Sequence, residues 1–268
     1  MCARIGLVAC DVDGTLIDRE GRVPEANLCA IRAAVAKGVR VVIASARPPR
    51  MAKPIYEALG LDTYQVNYNG AVIQRPGDEG YAVHRPMEPG LVRRLIGVAR
   101  HVDPELAVSL EIKDRWLTDG VVDGLETATS LNLKPDYVGP LDAVLTEPVT
   151  KVLLLTPAER MGRLRQGIEA VFRKRVRLQV SDAHLIQVVH PQADKAHGLK
   201  WMAAEYGVSV DEILAIGDAP NDAGMLRLAG VGVAVKGAWA EAVAAADHVA
   251  EVDAAGGAVA WALERFVL

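Results

Sequence analysis

With 268 residues, 51% of them hydrophobic and 24% charged, the chain has material for two domains, or for one domain carrying a large insertion. Its 30 Lys and Arg against 34 Asp and Glu leave a net charge of -4, which argues against general nucleic-acid affinity and against a polybasic membrane surface. A small anionic ligand at a local positive site stays compatible with that total, no apolar stretch approaches the roughly 18 residues of a membrane span, and three cysteines, Cys2, Cys10 and Cys29, show no metal-ligand spacing, so a soluble, unprocessed, cytoplasmic protein is expected.

The first predicted element is a buried strand from Ile5 to Cys10, ending in Asp11-Val12-Asp13-Gly14-Thr15-Leu16. Ala26, Leu28, Ile31, Ala34 and Val35 recur at helical spacing, with Gly38 as the stop. A second buried strand, Val39 to Ala44, runs into Ser45-Ala46-Arg47. Met51 to Leu59 reads as a helix closed by Gly60, and Tyr64 to Asn67 leads into Asn69-Gly70-Ala71. This alternation predicts a parallel sheet with helical crossovers.

From about Arg85 to His190 the pattern changes. Helices near Gly90 to His101 and Glu159 to Phe172 accompany β-like runs at Val108 to Ile112, Val152 to Leu155, Val176 to Val180 and Leu185 to Val189. Arg85-Pro86 and His190-Pro191 favour extended chain at the two junctions. After Lys195 the first rhythm returns: a helix to Tyr206 stopped by Gly207, a strand Ile213 to Ile216, Gly217-Asp218, a helix Asn221 to Leu228, a strand Val231 to Val235, a helix Ala238 to Ala245 and a terminal helix Ala258 to Phe266. The expected fold is α/β, a doubly wound, Rossmann-like parallel-sheet core from residues 1–84 and 191–268 with an inserted α+β cap from 85–190.

In open parallel sheets ligands bind beyond the carboxyl ends of the strands, and four polar segments fall there. Asp11 and Asp13, two apart in extended chain, should project to one side and converge, which calls for a cation or a shared proton. Ser45 offers a hydroxyl and neighbouring amides to a phosphate oxygen. Lys195 lies just before or within the first turn of a helix, where a cation is disfavoured by the dipole unless it meets an anion. Gly217-Asp218-Ala219-Pro220-Asn221-Asp222 again places carboxylates after a buried strand. A hard cation such as Mg²⁺ takes oxygen ligands, and Asp11, Asp218 and the Asp13 carbonyl form a plausible set. Asp11 is then a candidate nucleophile and Asp13 a candidate acid and base.

The order Asp11-Val-Asp13-Gly-Thr-Leu, Ser45, Lys195, Gly217-Asp218-x-x-Asn221-Asp222 resembles the haloacid dehalogenase superfamily of aspartate-nucleophile phosphatases. Asn69-Gly70-Ala71, Lys195-x-x-Gly198-Leu199 and Met225-Leu226 resemble its Cof-type subfamily, whose α/β cap lies between the second and third motifs. The resemblance implies Asp11 as nucleophile, Asp13 as acid and base, and Mg²⁺ held by Asp11, the Asp13 carbonyl and Asp218, with Asp222 at the metal or behind it. It implies Ser45, the Ala46 amide, Lys195 and Asn221 around the phosphate, and Arg47, Asn69 and Gly70 as further substrate contacts; Lys236, where the chain departs from the family pattern, is a further candidate phosphate or substrate contact. An inserted cap would exclude water and select the leaving group. Two departures stand out: Ser45-Ala46-Arg47 where the family often has Ser/Thr-Gly-Arg, and Lys236-Gly237-Ala238 where it commonly has Gly-Asn-Ala.

Plainer readings compete at single positions. An isolated Asp-x-Asp-Gly is usually an Asx-capped turn, Ser45 and Asn221 suit helix caps, and Lys195 alone would read as a solvated lysine. It is their joint occurrence that favours chemistry. Cys10 reads as a small core residue, and the Arg160, Arg163, Arg165, Arg173, Lys174, Arg175, Arg177 cluster as a solvated face. Arg115, Trp116, His184 and His190 fit either a substrate-facing or a surface role. The expected activity is Mg²⁺-dependent hydrolysis of a small phosphorylated metabolite, a sugar phosphate first. The alternatives are a phosphomutase, a glycosyl-phosphate phosphatase such as mannosyl-phosphoglycerate phosphatase, and a phospho-ligand sensor without turnover.

Overall fold

A computed structural model describes residues 4–122 and 124–268; Cys2 lies outside the described residues. The chain divides into two compact units, one made of the residues up to Val83 together with Asp194–Leu268, the other of His84–Ala193.

In the first unit, five parallel strands run in the order His248–Val249, Val231–Ala234, Ile213–Gly217, Leu7–Cys10, Arg40–Ile43. A parallel bridge from Ala44 to Val66 carries the pattern toward the Gln65–Asn67 strand. The chain begins at Leu7–Cys10 and winds outward in both directions, so the strand order reverses between Leu7–Cys10 and Ile213–Gly217. That reversal opens a crevice at the carboxyl ends of these two strands.

Alternation explains why these strands are apolar throughout. Leu7 and Ala9 face one layer with Val42, Ala44, Leu199, Met202 and Leu226, while Val8 and Cys10 face the other with Val41, Ile43, Ile31, Ile55 and Leu263. Burial also pushes the Cys10 thiol up to about 12, with the adjacent Asp11 adding to the effect, so it stays protonated and packs as a small apolar group.

The second unit holds a six-stranded sheet in the order Arg177–Asp182, Leu185–Val189, Lys151–Leu155, Ala107–Ile112, Arg115–Thr118, Tyr137–Val138. All its neighbours are antiparallel except the last pair. Helices Pro89–Val102 and Ala158–Phe172 cover one face, with Leu95, Ala99, Leu164 and Ile168 packed in one cluster with Val108, Leu110, Leu154 and Val188. Among the described residues, no helix is long and apolar enough to cross a membrane.

Several elements differ from the sequence expectation: the short strands His248–Val249 and Tyr137–Val138 have no counterpart in it, and two further cases have a clear local cause. Arg115–Thr118 is a strand of this sheet, with Trp116 buried and Arg115 exposed and paired with Glu147. The expected helix Ala238 to Ala245 shortens to Ala240–Val243, because the amides of Ala245 and Ala246 bond only three residues back before Asp247 joins the Gly232 carbonyl.

Candidate active site

The Asp11 amide donates to the Ile216 carbonyl at 3.0 Å, extending the ladder one residue beyond Leu7–Cys10. The chain then turns: the amides of Thr15, Leu16 and Ile17 all donate to the Val12 carbonyl. The turn gives the two carboxylates different surroundings. Asp11 is buried, whereas the Asp13 side chain is 55% exposed. Gly14 closes the turn at φ 78, and a Cβ there would lie 2.5 Å from Asp218 Oδ2, so only glycine allows this approach. Thr15 Oγ1 donates to the other Asp218 oxygen at 3.1 Å.

The carboxylates that do converge are those of Asp11, Asp218 and Asp222, with one oxygen from each lying within 4.8 Å of the others. Lys195, the first residue of helix Lys195–Tyr206, is fully buried against them. Its Nζ donates to Asp11 Oδ1 at 2.5 Å and to Asp222 Oδ1 at 2.6 Å. Asp194 caps that helix, its Oδ1 accepting from the His197 amide at 2.7 Å. The second oxygen of Asp222 accepts the amides of Asp218 and Ala219 at 3.1 and 3.0 Å, so this carboxylate ties the lysine to the loop carrying Asp218.

The electrostatics follow from three acids around one base. Burial drives the Asp11 carboxyl well above its usual range; Lys195 opposes this, while Asp222, Asp218 and Asp13 reinforce it. Burial also raises Asp218, to about 6, with the Asp222 charge adding to it and the Thr15 hydrogen bond opposing it. Burial alone would lower Lys195, but Asp11 and Asp222 more than offset it and keep the ammonium charged. An acidic cluster with a deficit of positive charge and only oxygen donors suits a hard divalent cation.

The remaining predicted residues form a second layer of contacts. The Ser45 amide donates to the Val66 carbonyl at 2.9 Å, and its hydroxyl, fully buried, accepts from the Arg47 amide at 3.1 Å. Ala46 follows it on the same turn. Arg47 places its guanidinium on Asp13. Asn69 accepts from Asn221 Nδ2 at 3.0 Å and donates its own amide to the Ser45 carbonyl at 3.0 Å. Gly70, at φ 99, passes so close to the Asp194 main chain that a Cβ would sit 2.3 Å from its carbonyl oxygen. Lys236 is exposed, and its amide donates to the Val252 carbonyl at 3.3 Å.

Sequence reasoning did not single out Thr15 or Asp194. The Asp194-x-x-His197 spacing just before a helical run carried the N-cap signal that would have found the second. Thr15 had no signal beyond its place in the hexapeptide.

Known proteins match this chain over almost its whole length. A family model described as haloacid dehalogenase-like hydrolase matches residues 8–263. The 5-amino-6-(5-phospho-D-ribitylamino)uracil phosphatase YitU of Bacillus subtilis is 29% identical over 235 residues, covering 85% of this chain and 86% of its own. The phosphoglycolate phosphatase of Methanoculleus marisnigri is 28% identical, covering 90% and 88%. A haloacid dehalogenase-like hydrolase of Bacteroides thetaiotaomicron superposes with a TM-score of 0.81 at 24% identity, over 98% and 99% of the two chains.

Proposed function

Since this chain belongs to the haloacid dehalogenase-like hydrolases and is an enzyme of their phosphatase class, we propose that it hydrolyses a small phosphate monoester, a sugar phosphate first, through an aspartyl-phosphate on Asp11. The observation that carries the reading is the fully buried Lys195 held between Asp11 and Asp222 beside Asp218. A buried ammonium among carboxylates is costly to assemble, and a site that must receive a phosphate dianion at a carboxylate nucleophile needs that charge. Asp11, Asp218 and the Asp13 carbonyl would hold Mg²⁺, with Asp222 behind them binding Lys195; the ion supplies positive charge that reduces repulsion between nucleophile and phosphate.

Asp11 attacks phosphorus, and its Oδ–P bond forms as the bond to the leaving oxygen breaks. Asp13 gives that oxygen a proton. In the second half, water attacks phosphorus, the Oδ–P bond breaks and Asp13 takes up the water proton. Its exposure suits a group that exchanges protons with solvent. Ser45, the Ala46 amide, Lys195 and Asn221 would bind phosphate oxygens. Relatives named for a phosphorylated ribityl compound and for phosphoglycolate support a small metabolite as the substrate. The acidic total charge accords with such a partner in preference to nucleic acid or a membrane, and the free Cys10 and Cys29 accord with the cytoplasm.

The test is phosphate release from a panel of sugar, polyol and hydroxy-acid phosphates with and without Mg²⁺. Mg²⁺-dependent release from at least one is expected. No release from any, or an isomerised ester with no free phosphate, would overturn the proposal, the second outcome in favour of a phosphomutase.

A further inference from the structure

We infer that Arg47 is a positioning residue for Asp13 and acts on the reaction through that carboxylate, not by binding the substrate phosphate; the inference rests on the phosphatase reading above. Arg47 Nε donates to Asp13 Oδ2 at 2.9 Å and Nη2 to Oδ1 at 2.6 Å. Both oxygens are held in the planar, two-bond geometry that a guanidinium offers and an ammonium does not. The arginine side chain is 19% exposed against 55% for its partner, so the better-buried group anchors the freer one. Without that fork an exposed Asp side chain would distribute among its staggered rotamers.

The arginine is itself fixed along its main chain. Its amide donates to Ser45 Oγ at 3.1 Å, and its carbonyl accepts the Tyr68 amide at 3.2 Å and Asn67 Nδ2 at 3.3 Å. Tyr68 makes its bond from φ 50 and is followed by Asn69 at φ 55 and Gly70 at φ 99. The left-handed region is unfavourable for a bulky residue, and such conformations persist where the surroundings over-determine them. Three hydrogen bonds, two of them from the strained Asn67–Tyr68 segment, therefore converge on the residue that orients Asp13.

Orientation and proton transfer are compatible here. Each carboxylate oxygen has two lone-pair sites, so an oxygen that accepts from Arg47 keeps one for the travelling proton. In the first half-reaction that proton leaves Asp13 for the ester oxygen; in the second it arrives from the attacking water. A carboxylate turned away from the reacting oxygen fails at both steps, while phosphate binding by Lys195 and the Ser45 turn is untouched. Arg47 thus predicts a separation of kcat from KM that a phosphate ligand would not produce.

The test compares the full chain in saturating Mg²⁺ with its Arg47→Met, Arg47→Lys, Asp13→Asn and Arg47→Met/Asp13→Asn variants. Two substrates are used: p-nitrophenyl phosphate, whose leaving group needs no proton, and an alkyl phosphate turned over in the panel. Arg47→Met is expected to lower kcat/KM for the alkyl phosphate about a hundredfold, within the range of a lost general acid. For p-nitrophenyl phosphate the loss in kcat/KM stays below about fivefold, while kcat and KM fall together as hydrolysis of the phosphoryl-enzyme becomes limiting. Arg47→Met quenched with acid during p-nitrophenyl phosphate turnover should carry more phosphoryl-enzyme than wild type, Arg47→Lys should recover part of the rate, and in the Asp13→Asn background Arg47→Met should cost nothing further.

Equal losses in kcat/KM on both substrates, a raised KM at unchanged kcat, or fully multiplicative effects in the double variant would overturn the inference. Arg47→Lys keeps the charge, so the comparison survives if Arg47→Met does not fold. A wild type that releases no phosphate defeats the phosphatase reading before any variant is made; an active wild type with independent Arg47 and Asp13 effects defeats only this inference.

Discussion

Asp11 and Asp13 stand two residues apart in opposite settings. Asp11 is buried with Asp218 and Asp222 around the ammonium of Lys195, whereas Asp13 reaches solvent and meets the guanidinium of Arg47. The choice of cation matches the task. A lysine is a compact charge that serves two carboxylates at once in a tight space; an arginine imposes a plane, and so an orientation, on one carboxylate. The energetic stakes differ as well. Breaking a buried ion pair strands charge away from water, while an exposed pair contributes about 1 kcal/mol or less to folding. Charge strength governs the buried half of the hexapeptide, and geometry governs the exposed half.

The sharpest way to break this contrast is Lys195→Met. It should destabilise the metal-free protein by about 3 kcal/mol, because Asp11 and Asp222 lose their buried partner, and it should abolish turnover. Urea unfolding reads the first effect. A stability change as small as that of Arg47→Met, expected within about 1 kcal/mol of wild type, would erase the distinction between the two halves.

A smaller effect sharpens the buried side. The Asp218 carboxyl is raised from its ordinary 3.8 to about 6, so it stabilises the fold below the ordinary value and loses that contribution as pH climbs through about 6. On the proposed assignment Mg²⁺ would take the place of the proton. The ion should therefore raise the melting temperature more at about pH 7.5 than at about pH 5, and a shift equal at both would contradict the assignment of Asp218 to the metal.

Much of this was legible in the residues. Strands such as Leu7–Cys10 and Ile213–Gly217 are apolar on both faces, and that signature led to a parallel, doubly wound sheet. Acidic segments directly after such strands marked the carboxyl edge. What escaped detection had weaker local signals. The hairpin between Ala107–Ile112 and Arg115–Thr118 turns through Lys113 at φ 58 and Asp114, with no Asn-Gly or Asp-Gly pair to announce it. Pairing across long separations was equally silent. Nothing near Arg47 says that its partner lies 34 residues upstream, since that choice depends on where the Ser45 turn packs. The side chains of Asn69 and Arg47, both expected at the substrate, bond to Asn221 and Asp13, two other expected site residues that neither local sequence could name.

The central claim is that Asp11, the buried member of the pair, carries the phosphoryl group. Turnover of a substrate from the panel, stopped with acid and followed by peptide mass spectrometry, tests it directly. The account predicts one phosphoryl group on the peptide containing Asp11 and none in Asp11→Asn, which should also release no phosphate. Phosphate release by Asp11→Asn at the wild-type rate, or a phosphoryl group on a peptide without Asp11, would contradict it.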